Sequence, residues 1–388
     1  MLANSPPLPL VVDYLEERRD ITTDDEEGII LALKQRGRVL RVRLNTPVTS
    51  LQKIIATMDG EYPILEYLVI WLPNEDKSTI LIFPEMFQAP HLRCLRPRGF
   101  SLPIGSRLLT NAVGLVTLSL VMAHPSTYFH PNTLLQWISL MPQLETLIIH
   151  FEFPISNRDV ERQLTHTPII APITLSNLRY FQFHGFSTYS ESLVHWITTP
   201  RLERVNILFF YQSTFFVPHL LQLMNTAENI KFDSAAFRFS DKQVSVVFYP
   251  RGANYALGIL VDCCHLDWQV SSMAQISNSL RQMFSSVEHL VLEHDLHNHS
   301  SEEHNQVDHT EWCQLLRPFR NVKTFGIDTG LAEELSRFLK SEDGELTSEL
   351  LPKLQELTYS ASGDTRDRFI SFIDARQNLG RPITLVRR

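Results

Sequence analysis

Apolar residues return along this chain in one short phrase: an apolar anchor, two variable positions, an apolar residue, one variable position and a further apolar residue. It reads LEYLVI from Leu65, LRCLRP from Leu92, LVTLSL from Leu115, LETLII from Leu144, LRYFQF from Leu178 and LERVNI from Leu202. AENIKF from Ala227, VEHLVL from Val287, VKTFGI from Val322 and LQELTY from Leu354 continue it, with VLRVRL from Val39 as a first member. Its last four letters alternate variable and apolar, the period of a strand covered on one face. Most copies follow a segment with apolar residues three and four apart, which predicts a short helix. These are Leu51 to Asp59, Thr133 to Met141, Glu191 to Thr199, Pro218 to Thr226, Ser279 to Ser286 and Glu345 to Leu351. Pro63, Pro90, Pro142, Pro200 and Pro352 stand two residues before an anchor and mark where helix gives way to strand.

A helix, turn and strand recurring every 23 to 35 residues predicts an α/β fold, an irregular leucine-rich-repeat solenoid or horseshoe. Its curved parallel sheet lines the concave side and its helices the convex side. The rival is a Rossmann-like α/β sheet, which the absence of GxGxxG and GxxxxGK[ST] disfavours. The gap between Ala227 and Val287 is twice the usual spacing, and Val244 to Pro250 and Leu257 to Cys263 supply apolar runs for a degenerate repeat there. Pro97 takes an apolar strand position, so interrupted strands are expected around residues 97 to 110 and 233 to 262.

The ends read as caps. Residues 1–38 hold a strand over Leu8 to Leu15 and a helix over Thr22 to Gly37, with Thr23 as N-cap, Lys34 and Arg36 in the last turn and Gly37 as terminator. Residues 39–363 carry the repeats. In residues 364–388, Asp367 to Gly380 is a last helix and PITLVRR an edge strand blunted by Arg387 and Arg388.

The runs Pro6 to Leu15, Asp24 to Leu33, Leu115 to Ile149, Asn157 to Ile170 and Thr310 to Phe325 resemble the leucine-rich-repeat region of a large fungal family of F-box proteins. The resemblance implies that the repeats capture a protein to be ubiquitinated. It also implies a Skp-type adaptor and a cullin as partners if an F-box is encoded upstream. Leu8-Pro9 is the only candidate F-box start, and the charged run EERRDITTDDEE follows it, so no F-box is recognisable in this chain and no adaptor-binding residue is carried over. The alternative is a leucine-rich-repeat scaffold unconnected to ubiquitination.

Composition narrows the function further. Of 388 residues, 44% are hydrophobic and 20% charged, enough for a substantial core, and the net charge of -8 disfavours nucleic acid or an anionic membrane as partner. No stretch reaches the length of a membrane span, so a cytoplasmic or nuclear location is expected. Cys94, Cys263, Cys264 and Cys313 read as reduced thiols, and no GxSxG, HExxH or paired CxxC motif is present. The histidine-rich stretch with His289, His294, His297, His299, His304 and His309 could offer His297 and His299 with Asp295 and Glu302 or Glu303 to a metal. Its spacing matches no zinc motif, and a polar loop is the simpler reading. No catalytic residue, cofactor or metal is assigned, and no enzymatic role is expected.

Binding is therefore expected where side chains leave the sheet, at the second, third and fifth positions of the phrase. The candidate concave face comprises Glu66, Tyr67, Arg93, Arg96, Glu145, Arg179, Tyr180, Gln182, Glu203, Arg204, Asn206, Lys231, Glu288, Lys323 and Glu356. Its mixed charge suits a protein ligand, with the tyrosines and arginines as leading anchors.

Overall fold

A turn ahead of most copies explains why the phrase begins with an anchor two residues before its strand. In the computed structural model, which describes residues 8–15, 21–72, 81–102, 106–122, 128–154, 171–227, 232–250, 256–295, 307–339, 350–359 and 366–387, the N–H of eight anchors donates to the carbonyl three residues back. Leu65 donates to Tyr62 O at 3.3 Å, Leu92 to Ala89 at 3.1 Å, Leu144 to Met141 at 3.1 Å, Leu202 to Thr199 at 3.2 Å and Leu354 to Leu351 at 3.0 Å. Each of the five prolines is thus the second residue of a β-turn, where its fixed φ favours the bend. Leu115, Leu178 and Val287 close the same turn without proline. The proline therefore shapes the turn and does not itself start the strand.

Two compact units divide the chain. The first holds residues up to Gly185 together with Ser192–Leu202; the second holds Phe186–Glu191 and Glu203 onward. In chain order the first contains β1 (Leu10–Tyr14), α1 (Thr23–Leu33), β2 (Val39–Asn45), α2 (Val48–Ala56), β3 (Tyr67–Trp71), β4 (Leu81–Ile82), β5 (Cys94–Arg98) and β6 (Phe100–Ser101). There follow α3 (Arg107–Asn111), β7 (Thr117–Met122), α4 (Pro131–Ser139), β8 (Thr146–Phe151), β9 (Ile173–Thr174) and β10 (Tyr180–Gly185). Next come α5 (Ser187–Val194), divided between the units, and β11 (Ile197–Thr198). Its main sheet runs β1-β2-β3-β5-β7-β8-β10, each pair parallel. Two short parallel pairs, β4 with β6 and β9 with β11, stand apart from it.

The core follows the phrase. Anchors Leu65, Leu92, Leu115, Leu144 and Leu178 are buried, as are the inward strand residues Leu68, Ile70, Leu95, Leu118, Leu120, Leu147, Ile149, Phe181 and Phe183. The apolar stripes of α2 (Leu51, Ile54, Ile55) and α4 (Leu134, Leu135, Ile138) join them. Burying each such side chain stabilises by about 1.5–3 kcal/mol, so one face of the sheet is committed to packing. The other face stays open, as the alternating exposure of β3 and β8 shows.

The second unit contains β12 (Arg204–Phe210), α6 (Pro218–Thr226), β13 (Ser234–Ser240), β14 (Gln243–Tyr249), β15 (Leu257–Asp262), α7 (Leu266–Ser279), α8 (Arg281–Phe284) and β16 (His289–Asp295). It ends with α9 (His309–Leu316), β17 (Thr324–Ile327), α10 (Thr329–Leu339), β18 (Glu356–Tyr359), α11 (Arg366–Asn378) and β19 (Thr384–Arg387). Its strand order is β12-β15-β14-β13-β16-β17-β18-β19. Here an all-parallel sheet is corrected to a mostly parallel one: β14 runs antiparallel to both β13 and β15, while β15 is parallel to β12 and β13 to β16. The double-length gap holds this three-stranded meander in place of a degenerate helix-strand repeat, because Asp241-Lys242 reverses the chain within two residues. Both units are thus α/β, and among the described residues neither sheet closes into a barrel.

Several local expectations shift. The first helix is capped by Thr22, not Thr23: the Thr22 hydroxyl accepts from Asp25 N while the Asp25 carboxylate accepts from Thr22 N. That helix ends at Leu33, and Gly37 lies in a 3-10 turn, Arg36–Arg38. Residues Glu191 to Thr199 divide between the end of α5 and β11. The phrase placed at AENIKF belongs at FDSAAF: Ser234 pairs with His289, the third position of its neighbour, and Glu288 N and His289 N both donate to Asp233 O. Pro97 pairs with Ile70 on one side, yet the ladder to β7 links Cys94, Leu95 and Arg98 and skips Arg96 and Pro97, an interruption at the expected place. Residues 345–349, 157–170 and 228–231 lie outside the described residues.

Candidate functional site

Register across the first unit lines the open-face side chains into rows. Val11, Arg41, Tyr67, Cys94, Thr117, Thr146 and Tyr180 share one row; Asp13, Arg43, Val69, Arg96, Ser119, Ile148 and Gln182 share the next. A third row, beyond the six-letter phrase, holds Asn45, Trp71, Arg98, Val121, His150 and His184. Cys94 and Ser119 are buried even on this face, and burial pushes the Cys94 thiol up from its ordinary pKa, keeping it un-ionised.

At the edge where strands begin, the second letters of five phrase copies meet. Leu40, Glu66, Arg93, Val116 and Glu145, with Ile64, His91, Val113 and Gln143 from the turns, line a groove of about 650 Å³. Backbone acceptors here are already used: Glu66 O takes the N–H groups of Arg93 and Cys94, and Arg93 O those of Val116 and Thr117. Val116 O takes those of Glu145 and Thr146, and Glu145 O those of Arg179 and Tyr180. The groove therefore offers a ligand its side chains, a carboxylate, a guanidinium and a second carboxylate set between apolar walls.

Around it the residues expected from sequence have distinct surroundings. The Arg41 guanidinium lies 4.6 Å from the Tyr67 ring centre, a cation–π contact that holds the ring on the face. Tyr180 donates its hydroxyl to Gln182 Oε1 at 2.7 Å, while Arg96 and Arg179 are exposed. In the second unit Glu203 and Arg204 are exposed and Asn206 half-buried on β12. Lys323 pairs with Glu288 at 2.9 Å, and Thr358 Oγ1 donates to Glu356 Oε1 at 3.1 Å. Lys231 lies outside the described residues. Each unit thus carries its own group of the expected side chains.

Residues outside the candidate set also occupy this face. Arg43 bonds Asp13 at 3.0 Å, Arg98 bonds Glu152 at 3.0 Å, and His150 Nε2 lies 2.8 Å from His184 Nδ1. The alternation of each strand continues one step past the sixth letter, and that continuation is the signal that locates the third row.

The histidine-rich stretch shows no shared centre where it is described. His289 Nδ1 meets Thr324 Oγ1 at 2.7 Å, and His309 packs on Phe338 and meets Cys313 Sγ at 3.7 Å. His297, His299, Glu302, Glu303 and His304 lie outside the described residues. Among the described residues no three His, Cys, Asp or Glu groups are arranged to hold a metal ion, and no helix is long and apolar enough to cross a membrane. Cys263 is buried with its thiol pushed up to about 12, chiefly by burial, and Cys264 is exposed; these neighbours face opposite ways. No family model matches this chain, and no curated protein matches it in sequence.

Proposed function

We propose that this chain is a non-catalytic protein-recognition array, an irregular leucine-rich-repeat solenoid whose open sheet face receives a protein ligand. It resembles the substrate-binding part of an F-box subunit of a cullin ubiquitin ligase. The observation that carries the proposal is the groove that gathers Glu66, Arg93 and Glu145 from three repeats. Side chains from distant sequence positions share one accessible surface whose backbone is satisfied, and mixed charge beside apolar walls is the composition of a protein interface. Tyr67, Arg96, Arg179 and Tyr180 extend it as anchors, with Arg204 as the anchor on the second unit.

One observation favours the scaffold reading over ligase coupling within this chain: Leu8-Pro9 leads into strand β1, parallel to β2, where an F-box would begin a helix. The test is capture from the native host with the intact chain and with a Glu66→Arg/Arg93→Glu/Glu145→Arg variant. A protein bound by the intact chain and reduced at least about tenfold by the variant, with its melting unchanged, is the expected result. Equal capture by both contradicts the assigned face. Co-elution of adaptor and cullin separates the ligase reading from the scaffold reading.

A further inference from the structure

The geometry points to a second docking point, in the second unit: a cavity that accepts a lysine or arginine side chain from a protein partner. This deepens the recognition reading above and rests on it. The cavity, about 260 Å³, lies between the segment after β12 and helices α7 and α9. Tyr211 and Trp268 line it with rings stacked at 5.1 Å and 21°, and they remain 42% and 39% exposed. An exposed pair of large aromatic rings beside a cavity is a frequent mark of an interface anchor.

Charge selects the occupant. Asp267, Asp308 and Glu311 line the cavity, and among the described residues no lysine or arginine does. Asp267 Oδ1 is buried without a hydrogen-bond partner. Asp308 uses Oδ1 to cap Thr310 N, and Glu311 accepts from the Ser271 side chain. Burial pushes the Glu311 carboxyl up, and the charges of Asp267 and Asp308 add to that shift. A cation among these groups relieves both burdens. The carboxylates do not converge as ligands of one metal ion, so the charge is spread wider than an ion's coordination shell. That spread suits a forked guanidinium or an ammonium on a flexible stem.

A lone small cation would leave the exposed Tyr211 and Trp268 rings uncovered. The aliphatic stem of a lysine or arginine and the peptide that carries it cover such rings, which commits the site to a protein segment. The chain's net charge of -8 further favours approach of a basic partner.

The experiment uses the intact chain and the pentapeptide acetyl-Gly-Ser-Arg-Ser-Gly-amide, with a counterpart carrying neutral citrulline. The readout is the indole N–H resonance of Trp268, identified among the chain's 5 tryptophans by its loss in Trp268→Phe. The arginine peptide is expected to move that resonance saturably, with the citrulline peptide at least about tenfold weaker. Asp267→Asn/Glu311→Gln is expected to weaken the arginine peptide by a similar factor while the remaining spectrum is retained. Equal response to the two peptides, or no response to about 10 mM, overturns the proposal. Binding of n-propylguanidinium as tight as the pentapeptide overturns the assignment to a protein segment. The Glu66→Arg/Arg93→Glu/Glu145→Arg variant retains pentapeptide binding if the site stands alone, so its failure and that of the first-unit face are separable.

Discussion

Glu191 performs a task that no local pattern around it announces. Helix α6 opens with Pro218 and has no side-chain cap from Val217. Glu191, only 8% exposed, reaches across from α5: Oε2 accepts from His219 N at 2.7 Å and Oε1 from Leu220 N at 3.0 Å. Those bonds favour the carboxylate, but burial opposes it more strongly and raises the pKa to about 7. The native state therefore holds a proton that the unfolded chain has released, and this contribution to stability is full below the ordinary glutamate range and lost as pH rises through about 7. The expected decline is on the order of 3 kcal/mol. Urea unfolding at pH 5 and pH 8 should show that slope in the intact chain and its loss in Glu191→Gln. Glu191→Ala, which leaves two buried N–H groups unpaired, should cost about 1–3 kcal/mol at pH 5. Gly185 is a second such residue: a Cβ there would meet Phe151 Cδ2 at 2.7 Å and Phe183 Cζ at 2.9 Å. Thermal melting of Gly185→Ala should report a loss of about 1–3 kcal/mol. Neither role was legible in sequence: the N–H groups that Glu191 meets belong to α6, and Gly185 is crowded by Phe151 of β8 as well as by Phe183 of its own strand.

Among elements, those built by short-range pattern were the legible ones. Pro218 to Thr226 is a helix with the bounds its periodicity gives, and β2 starts at Val39 as its alternation requires. The outward positions were legible wherever a phrase was correctly placed: the third and fifth letters follow from the period of two, while Glu66, Arg93 and Glu145, as second letters, lie in the turn ahead of each strand. It failed at AENIKF, where Ala235 and Ala236 disguise a strand whose anchor is Phe232 and whose true register depends on pairing with β16. The reversal of β14 was hidden for the same reason, since an apolar run carries no direction. The division between inward and outward positions makes its own prediction. Leu147 is fully buried and pairs with Leu118 and Phe181, so Leu147→Ala should lose about 2–5 kcal/mol in chemical denaturation. Thr146→Ala, one position away on the open face, should lose less than about 1 kcal/mol.

At the scale of the molecule, both units repeat one economy: a turn buries the anchor, a strand turns alternate residues inward, and the remaining side chains are left to the open face. The α/β class and the parallel pairing of the repeats were legible because many imperfect copies of one phrase outweigh the noise of any single copy, the misplaced one included. The cavity beside Trp268 was not, since Tyr211, Asp267 and Glu311 come from three separate elements with no common motif. The central claim is that phrase positions directed out of the sheet form the binding face. Its most direct test places a photo-crosslinking residue in the intact chain at Arg93, in the groove, or at Gln52, exposed on α2, and irradiates in the native host. The account predicts a covalent protein adduct from position 93 that is absent from position 52. An adduct at position 52 with none at position 93 would contradict it.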